Sequence, residues 1–145
     1  DRDALRAGLA DGTVDALVSD HTPGDEDAKA LPLAESELGA TGLELLLSLA
    51  YKWAQDDGIP LHQALGVVTH RSAAVVGSAL GPLAASAGRL VVGGVADICV
   101  FDPDAAWTVE ASALRSQGHN TPFEGYELPG RVRATLVGGH LAYRA

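Results

Sequence analysis

The residues best suited to chemistry are Asp20 and His21, which follow an apolar run and precede a Thr-Pro-Gly turn. Residues 14–19 read V-D-A-L-V-S, with apolar side chains on both alternating faces. This pattern predicts a short strand that is buried on both sides, as in a parallel sheet or a barrel. Because α/β enzymes keep reacting groups where such strands end, Asp20 is a candidate general base or metal ligand.

Both residues also have a plain structural interpretation, which the local sequence leaves open. An Asp at the start of a turn commonly caps that turn through its side chain. His21 is either a ligand or a loop histidine that bonds to backbone groups. The remaining histidines have no spacing that would place two imidazoles beside a carboxylate, and we expect them to be structural or exposed: His62, His70, His119 and His140.

The composition indicates one globular domain with neither a nucleic-acid surface nor a membrane span. The 145 residues are 47% apolar, which is enough for one core. The net charge of −9 and the lack of a basic cluster argue against phosphate binding. No apolar run approaches the ~18 residues that cross a bilayer. No secretory signal opens the chain, so we expect a cytoplasmic location, and Cys99 is expected to be unpaired and buried.

The periodicity changes once along the chain, and we predict two structural units, residues 1–81 and residues 82–145. The first unit has mostly helical patterns, and the second has short alternating runs separated by Gly and Pro turns. The chain begins at Asp1, contains no Met and opens with the pattern of a helix already under way. We therefore expect it to be the C-terminal piece of a longer protein.

Caps and turns locate the individual elements. Thr41 and Glu44 have the spacing of a capping box, which predicts a helix from there to about Gln55. Its inward side is predicted to carry Leu43, Leu46, Leu47, Ala50 and Trp53. A long acidic loop is expected over residues 20–40. Further helices are predicted over 3–9, from Pro60 and over 72–76, and strands over 89–92, 97–101, 106–109, 131–137 and 140–143.

Four segments, in the same order along the chain, resemble dihydroorotases of the cyclic amidohydrolase superfamily. Residues 11–23 end in D-H-T-P, like the family's D-H-x-P-H segment at its eighth barrel strand. Residues 42–44 read G-L-E, like the family's G-L-E-T helix start. Residues 88–102 resemble its G-x-L-x-x-G-x-x-A-D-L-x-V-F-D segment, and residues 120–123 read N-T-P-F. The N-T-P-F motif together with D-H-x-P is fairly specific to dihydroorotases.

The resemblance implies an α/β fold that combines parts of two family units. Residues 1–81 would supply the last strand and closing helices of a (β/α)₈ barrel, and residues 82–145 the C-terminal strands of a small β-sandwich. It also implies a zinc-dependent hydrolase of pyrimidine biosynthesis that interconverts dihydroorotate and carbamoyl aspartate, and a homo-oligomer. Asp20 matches the family's zinc ligand and catalytic proton acceptor. The other zinc ligands lie on earlier strands, so we expect this chain alone to be inactive.

The sequence departs from the family pattern where the resemblance places substrate contacts, at Gly24, Leu38 and Gly39. Gly24 stands where the family has the second histidine of D-H-x-P-H, and Leu38 replaces an aromatic residue. Leu45 follows Glu44 where the family has threonine. These changes favour, as an alternative to the enzyme, an inactive dihydroorotase-like partner of aspartate transcarbamoylase. A hydantoinase-type hydrolase is a third interpretation.

Overall fold

The computed structural model describes all residues, 1–145, as a series of helices followed by an antiparallel sheet. The α-helices are α1 (Arg2–Asp11), α2 (Glu26–Lys29), α3 (Leu46–Asp57), α4 (Leu61–Gly66) and α5 (His70–Val76). The strands are β1 (Ile98–Thr108), β2 (Glu127–Val137) and β3 (His140–Arg144). Short 3₁₀ segments lie at Leu43–Leu45, Gly77–Ala85 and Ala111–Ala113. None of the helices has the length and apolar character that crossing a bilayer requires.

The sheet has the strand order β1-β2-β3, and both pairs are antiparallel. Residues 97–101 and 106–109, predicted as separate strands, fall largely within the single strand β1. An irregularity in its pairing with β2 begins at Asp102. The Asp102 carboxylate accepts the Asp104 N–H at 3.1 Å and the Arg133 guanidinium at 2.8 Å, so it ties the irregular stretch to β2.

Two of the predicted strands are wrong, because residues 14–19 and residues 89–92 are irregular. Instead of pairing with a strand, residues 14–19 are held by helical neighbours. The Leu17 N–H, for example, donates to the Val67 carbonyl at 2.9 Å. A strand satisfies its N–H and C=O groups through a neighbouring strand, and no segment of the chain pairs with either run.

The core consists of two apolar clusters, and α3 with its preceding 3₁₀ turn reaches both. The first cluster joins α1, α3 and the α4 region through five buried residues: Leu9, Trp53, Ala54, Ala64 and Val67. The second lies between the 3₁₀ turn and the sheet and contains four: Leu45, Val109, Leu114 and Leu128. Between the clusters, the buried Ser48 hydroxyl donates to the Gly130 carbonyl at 2.7 Å and accepts the Trp107 indole N–H at 3.2 Å.

The predicted buried positions are partly wrong. Leu43 is 60% exposed, whereas Leu45 is fully buried, because the helix begins with a 3₁₀ turn that rotates the side chains relative to an α-helix. Ala50 and Trp53 are buried as predicted. Cys99 is exposed on β1 rather than buried, since it faces the open cavity between this strand and the helices.

An ion pair between α1 and α3 makes the stability depend on pH. The Arg6 guanidinium donates to both Asp57 carboxylate oxygens, at 2.8 and 2.7 Å, and holds the pKa of that carboxyl below its usual 3.8. The folded state therefore binds this proton more weakly than the unfolded state. The stabilisation is present above the unfolded pKa and is lost as the pH falls through the lowered folded pKa.

We expect Asp57→Asn to lower the Tm at pH 7, and the difference from the wild type to shrink towards zero as the pH falls through the lowered pKa of Asp57. Both partners are partly exposed, so the effect is modest. Asp56→Asn is the matched control, because Asp56 lies 3.7 Å from Arg6 and forms its closer ion pair with Lys52. Thermal unfolding followed by circular dichroism measures both variants. Equal losses at pH 7, or an Asp57→Asn effect that persists at low pH, would contradict this assignment.

Candidate functional site

Asp20 is the only residue other than glycine with a positive φ, at 44°. Its main-chain carbonyl accepts the Thr22 hydroxyl at 3.1 Å, while its carboxylate is exposed and forms no hydrogen bond within the chain. The turn-capping interpretation of Asp20 therefore has no support in the geometry. Sparsely populated backbone conformations of this kind concentrate at functional sites, and the free carboxylate is available to a substrate or an ion.

The His21 side chain bonds to the backbone just before α3, where the 3₁₀ turn Leu43–Leu45 begins. Its Nδ1 accepts the N–H groups of Gly42 and Leu43, each at 3.2 Å. The backbone of His21 also forms a parallel bridge with Ala40, and the next residue continues it, since the Thr22 N–H donates to the Ala40 carbonyl at 3.0 Å. Of the two interpretations open from the sequence, the structure supports the histidine bonded to backbone.

The predicted capping box at Thr41 and Glu44 does not form. The Thr41 hydroxyl donates to the Gly118 carbonyl, and the Thr41 N–H donates to the Asn120 carbonyl at 2.7 Å. The Glu44 carboxylate accepts the N–H groups of Arg115 and Ser116 at 2.7 and 3.1 Å. Both side chains bond to the segment before β2 instead, and the Thr41 N–H that a capping box would pair with Glu44 is taken by the Asn120 carbonyl.

The loop over residues 20–40 is organised by Lys29, a residue that the sequence reasoning missed. Its ammonium group donates to the carbonyls of Glu37 and Gly39, at 2.5 and 2.7 Å. The Asn120 side-chain amide donates to the same Gly39 carbonyl at 3.4 Å. The N-T-P-F motif singled Asn120 out, but no sequence signal marked Lys29, because its partners are backbone atoms eight and ten positions away.

Gly24 is closely packed rather than open. A Cβ atom at this position would lie 3.2 Å from Cε of Lys29 and 3.5 Å from a carboxylate oxygen of Glu37. On the other side, Gly118 is so close that its own Cβ would stand 2.8 Å from the Gly24 carbonyl oxygen. The position where the family has histidine is therefore covered by a lysine side chain in this protein.

Leu38 and Gly39 lie at the far end of the same loop. Leu38 is 92% exposed, and neither its N–H nor that of Gly39 has a hydrogen-bond partner in the chain. Gly39 has φ +106° and rests against Thr22, two residues after Asp20. The structure thus brings Asp20, Gly24 and Gly39 into one turn region with two unused backbone donors beside it.

The donor set of this chain does not by itself fit a zinc ion. Asp20 offers one carboxylate, and Nδ1 of His21 is taken up by two backbone N–H groups. Nowhere do three His, Cys, Asp or Glu side chains come together as a ligand set. Because a catalytic zinc takes about three protein ligands, a site at Asp20 needs ligands from outside these residues.

An apolar cavity of about 370 Å³ lies away from this region, between the helices and β1. Leu47, Leu65, Leu83, Val95 and Phe101 are among its lining residues. It contains neither Asp20 nor any of the substrate positions that the sequence indicates. The candidate chemistry of the chain therefore lies in the turn at Asp20 and not in this cavity.

The close contact between residue 39 and Thr22 requires glycine at position 39. In Gly39→Ala the added Cβ would lie 2.5 Å from the Thr22 carbonyl oxygen, in addition to the strain of φ +106°. We expect the free energy of unfolding to fall by about 1–3 kcal/mol more than the backbone strain alone would cause. We also expect the Thr22 amide to lose its protection from hydrogen exchange. Gly125→Ala is the control, because φ is +77° but nothing lies within 4 Å. If both variants lose the same stability and Thr22 stays protected, the close packing at Gly39 is refuted.

The comparisons with known proteins relate the whole chain to two named groups. It is 43% identical over 99% of its length to a dihydroorotase-like protein of Pseudomonas aeruginosa, and 37% identical over all of it to a dihydroorotase of Citrifermentans bemidjiense. The chain spans 32% of the length of each of these relatives. No family model matches the sequence.

Solved structures of hydantoinases contain a part with the same fold as the chain. A D-hydantoinase (dihydropyrimidinase) from Thermus sp. superposes with a TM-score of 0.86 at 27% identity, over 99% of this chain and 31% of that one. An L-hydantoinase from Arthrobacter aurescens superposes with a TM-score of 0.81 at 28% identity, over 97% of this chain and 31% of the hydantoinase chain. Over its whole length, this mixed helical and antiparallel-sheet chain is thus similar in sequence to dihydroorotases and in fold to part of the hydantoinases, which are enzymes of the same amidohydrolase superfamily.

Proposed function

We propose that the chain is part of a dihydroorotase, a hydrolase that opens the ring amide of dihydroorotate to give carbamoyl aspartate, and that Asp20 is its catalytic carboxylate. The observation that carries the proposal is the Asp20 geometry: an exposed carboxylate without a partner, on the one non-glycine residue with positive φ. The relatives named dihydroorotase cover the whole chain and so include this position.

The Asp20 carboxylate has the chemistry that amide hydrolysis needs. A carboxylate accepts the proton of the attacking water and can return it to the leaving nitrogen, in steps of general base and general acid catalysis. Within the chain, the Asp20 carboxylate oxygens are exposed and accept no hydrogen bond. The unused N–H groups of Leu38 and Gly39 are suited to an anionic substrate group, because backbone donors bind carboxylates strongly.

A zinc ion is part of the proposal only as a group to which this chain contributes Asp20. When bound, such an ion polarises the amide carbonyl and lowers the pKa of water. The further ligands would belong to parts of the protein outside these residues. We further propose that residues 1–81 belong to the hydrolase barrel and residues 82–145 to the β-sandwich. The change from helices to sheet between Ala85 and Ile98 supports this division.

A hydantoinase is the second candidate, because the solved structures that match are hydantoinases at TM-scores of 0.81 to 0.86. The higher sequence identity to dihydroorotases favours the first candidate. The two differ in the ring that they hydrolyse. The inactive partner of aspartate transcarbamoylase would rest on the departures from the family pattern at Gly24, Leu38 and Leu45, and the names of the relatives do not favour it.

We expect Asp20→Asn, made in the natural protein that carries this sequence, to lower kcat for dihydroorotate by about 10²–10⁴-fold, because the amide oxygen cannot take the proton. Asp15→Asn is the control, since Asp15 is exposed on the same segment and forms no hydrogen bond. It should keep wild-type turnover. Assays with dihydroorotate and with hydantoin, alongside the Tm of each variant, separate the two candidates.

Three results would count against the proposal. Turnover of hydantoin without turnover of dihydroorotate would establish the second candidate. Wild-type protein that hydrolyses neither ring would favour the inactive interpretation. An Asp20→Asn variant with near-normal kcat would remove Asp20 from catalysis.

A further inference from the structure

We propose that His21 is the positioning residue for Asp20: by capping the helix at Gly42 and Leu43, its imidazole holds the neighbouring residue in its left-handed conformation. The inference deepens the proposed function and rests on it, since it gives Asp20 its catalytic orientation. This imidazole is distinct from the substrate contacts, because its Nδ1 faces backbone N–H groups and not the open side of the turn.

The imidazole replaces an ordinary N-cap. Gly42 stands at the N-cap position and has no side chain, so the first N–H groups of the helix would lack an acceptor. Nδ1 of His21 accepts two of them, at 3.2 Å each. A nitrogen that accepts hydrogen bonds carries no proton, so the geometry assigns the ring hydrogen to Nε2. The ring is thereby fixed to a helix that is itself buried in both core clusters.

The fixed ring constrains Asp20 because the adjoining backbone is fixed as well. His21 pairs with Ala40, and the Thr22 N–H donates to the Ala40 carbonyl. The Thr22 hydroxyl in turn donates to the Asp20 carbonyl at 3.1 Å. Residue 21 is thus held through both its side chain and its main chain. The φ of 44° at Asp20 is the conformation that joins this anchored residue to residues 14–19.

Four variants of the natural protein separate positioning from simple helix capping. In His21→Asn the side-chain oxygen occupies nearly the place of Nδ1 and still caps the helix. In His21→Gln the oxygen lies one bond further out, and in His21→Ala there is no acceptor. His62→Asn is the control, because His62 is exposed on α4 and forms no side-chain hydrogen bond.

We measure kcat and KM with dihydroorotate, the hydrogen exchange of the Gly42 and Leu43 amides, and the NMR backbone shifts of Asp20. His21→Asn should keep amide protection, the left-handed shifts and a kcat within about threefold of the wild type. His21→Gln and His21→Ala should lose all three, with kcat lower by about 10- to 100-fold and KM nearly unchanged. A role confined to stability would lower the Tm without this split between kcat and KM.

The outcomes that overturn the inference are distinct from failure of the proposed function. If Asp20 keeps its left-handed shifts in His21→Ala and His21→Gln, or if the Asn and Gln variants have equal kcat, the inference is wrong. If the wild type hydrolyses neither dihydroorotate nor hydantoin, the proposed function fails. In that case the Asp20 shifts alone decide whether His21 holds its neighbour.

Discussion

The burial of α3 is the constraint on which the rest of the structure depends. Its C-terminal half packs into the cluster around Trp53, and the turn before it inserts Leu45 among the residues next to the sheet. Ser48 bonds to Gly130 between these two contacts. Fully burying a large apolar side chain contributes about 1.5–3 kcal/mol. The helix therefore joins the two parts of the chain by packing at both ends and by a hydrogen bond in the middle.

The same helix sets the position of the candidate site. Its first N–H groups are bonded to His21, and the flanking Thr41 and Glu44 bond to the segment that carries the N-T-P-F motif. Each contact joins backbone to a side chain that is distant in sequence. The turn at Asp20 is consequently tied to the core, although its own carboxylate is exposed. A left-handed residue costs about 1–3 kcal/mol, which is maintained only where the surroundings determine the conformation.

Gly24 and Lys29 belong together in this arrangement. The lysine chain passes over Gly24 to reach the Gly39 carbonyl, and a side chain at position 24 would meet it at 3.2 Å. Where the family pattern has histidine, this chain thus has glycine, and the Lys29 side chain lies against it and bonds to the far end of the loop at Gly39. The active interpretation and the inactive one differ in what this exchange does to substrate binding, and not in whether the loop is ordered.

The sequence by itself determined the similarity to dihydroorotases, the helical first part and the sheet after it, because these depend on local patterns and on motifs in fixed order. It wrongly predicted a strand at residues 14–19, because a strand needs a neighbouring strand to pair with, and it wrongly predicted that Cys99 is buried. It also placed Thr41 and Glu44 in a capping box. Only the tertiary structure shows that His21 accepts the N–H groups at the start of this helix. A helix N-terminus bonds to whichever acceptor the fold brings within reach, and this acceptor is 21 residues away in sequence from Gly42.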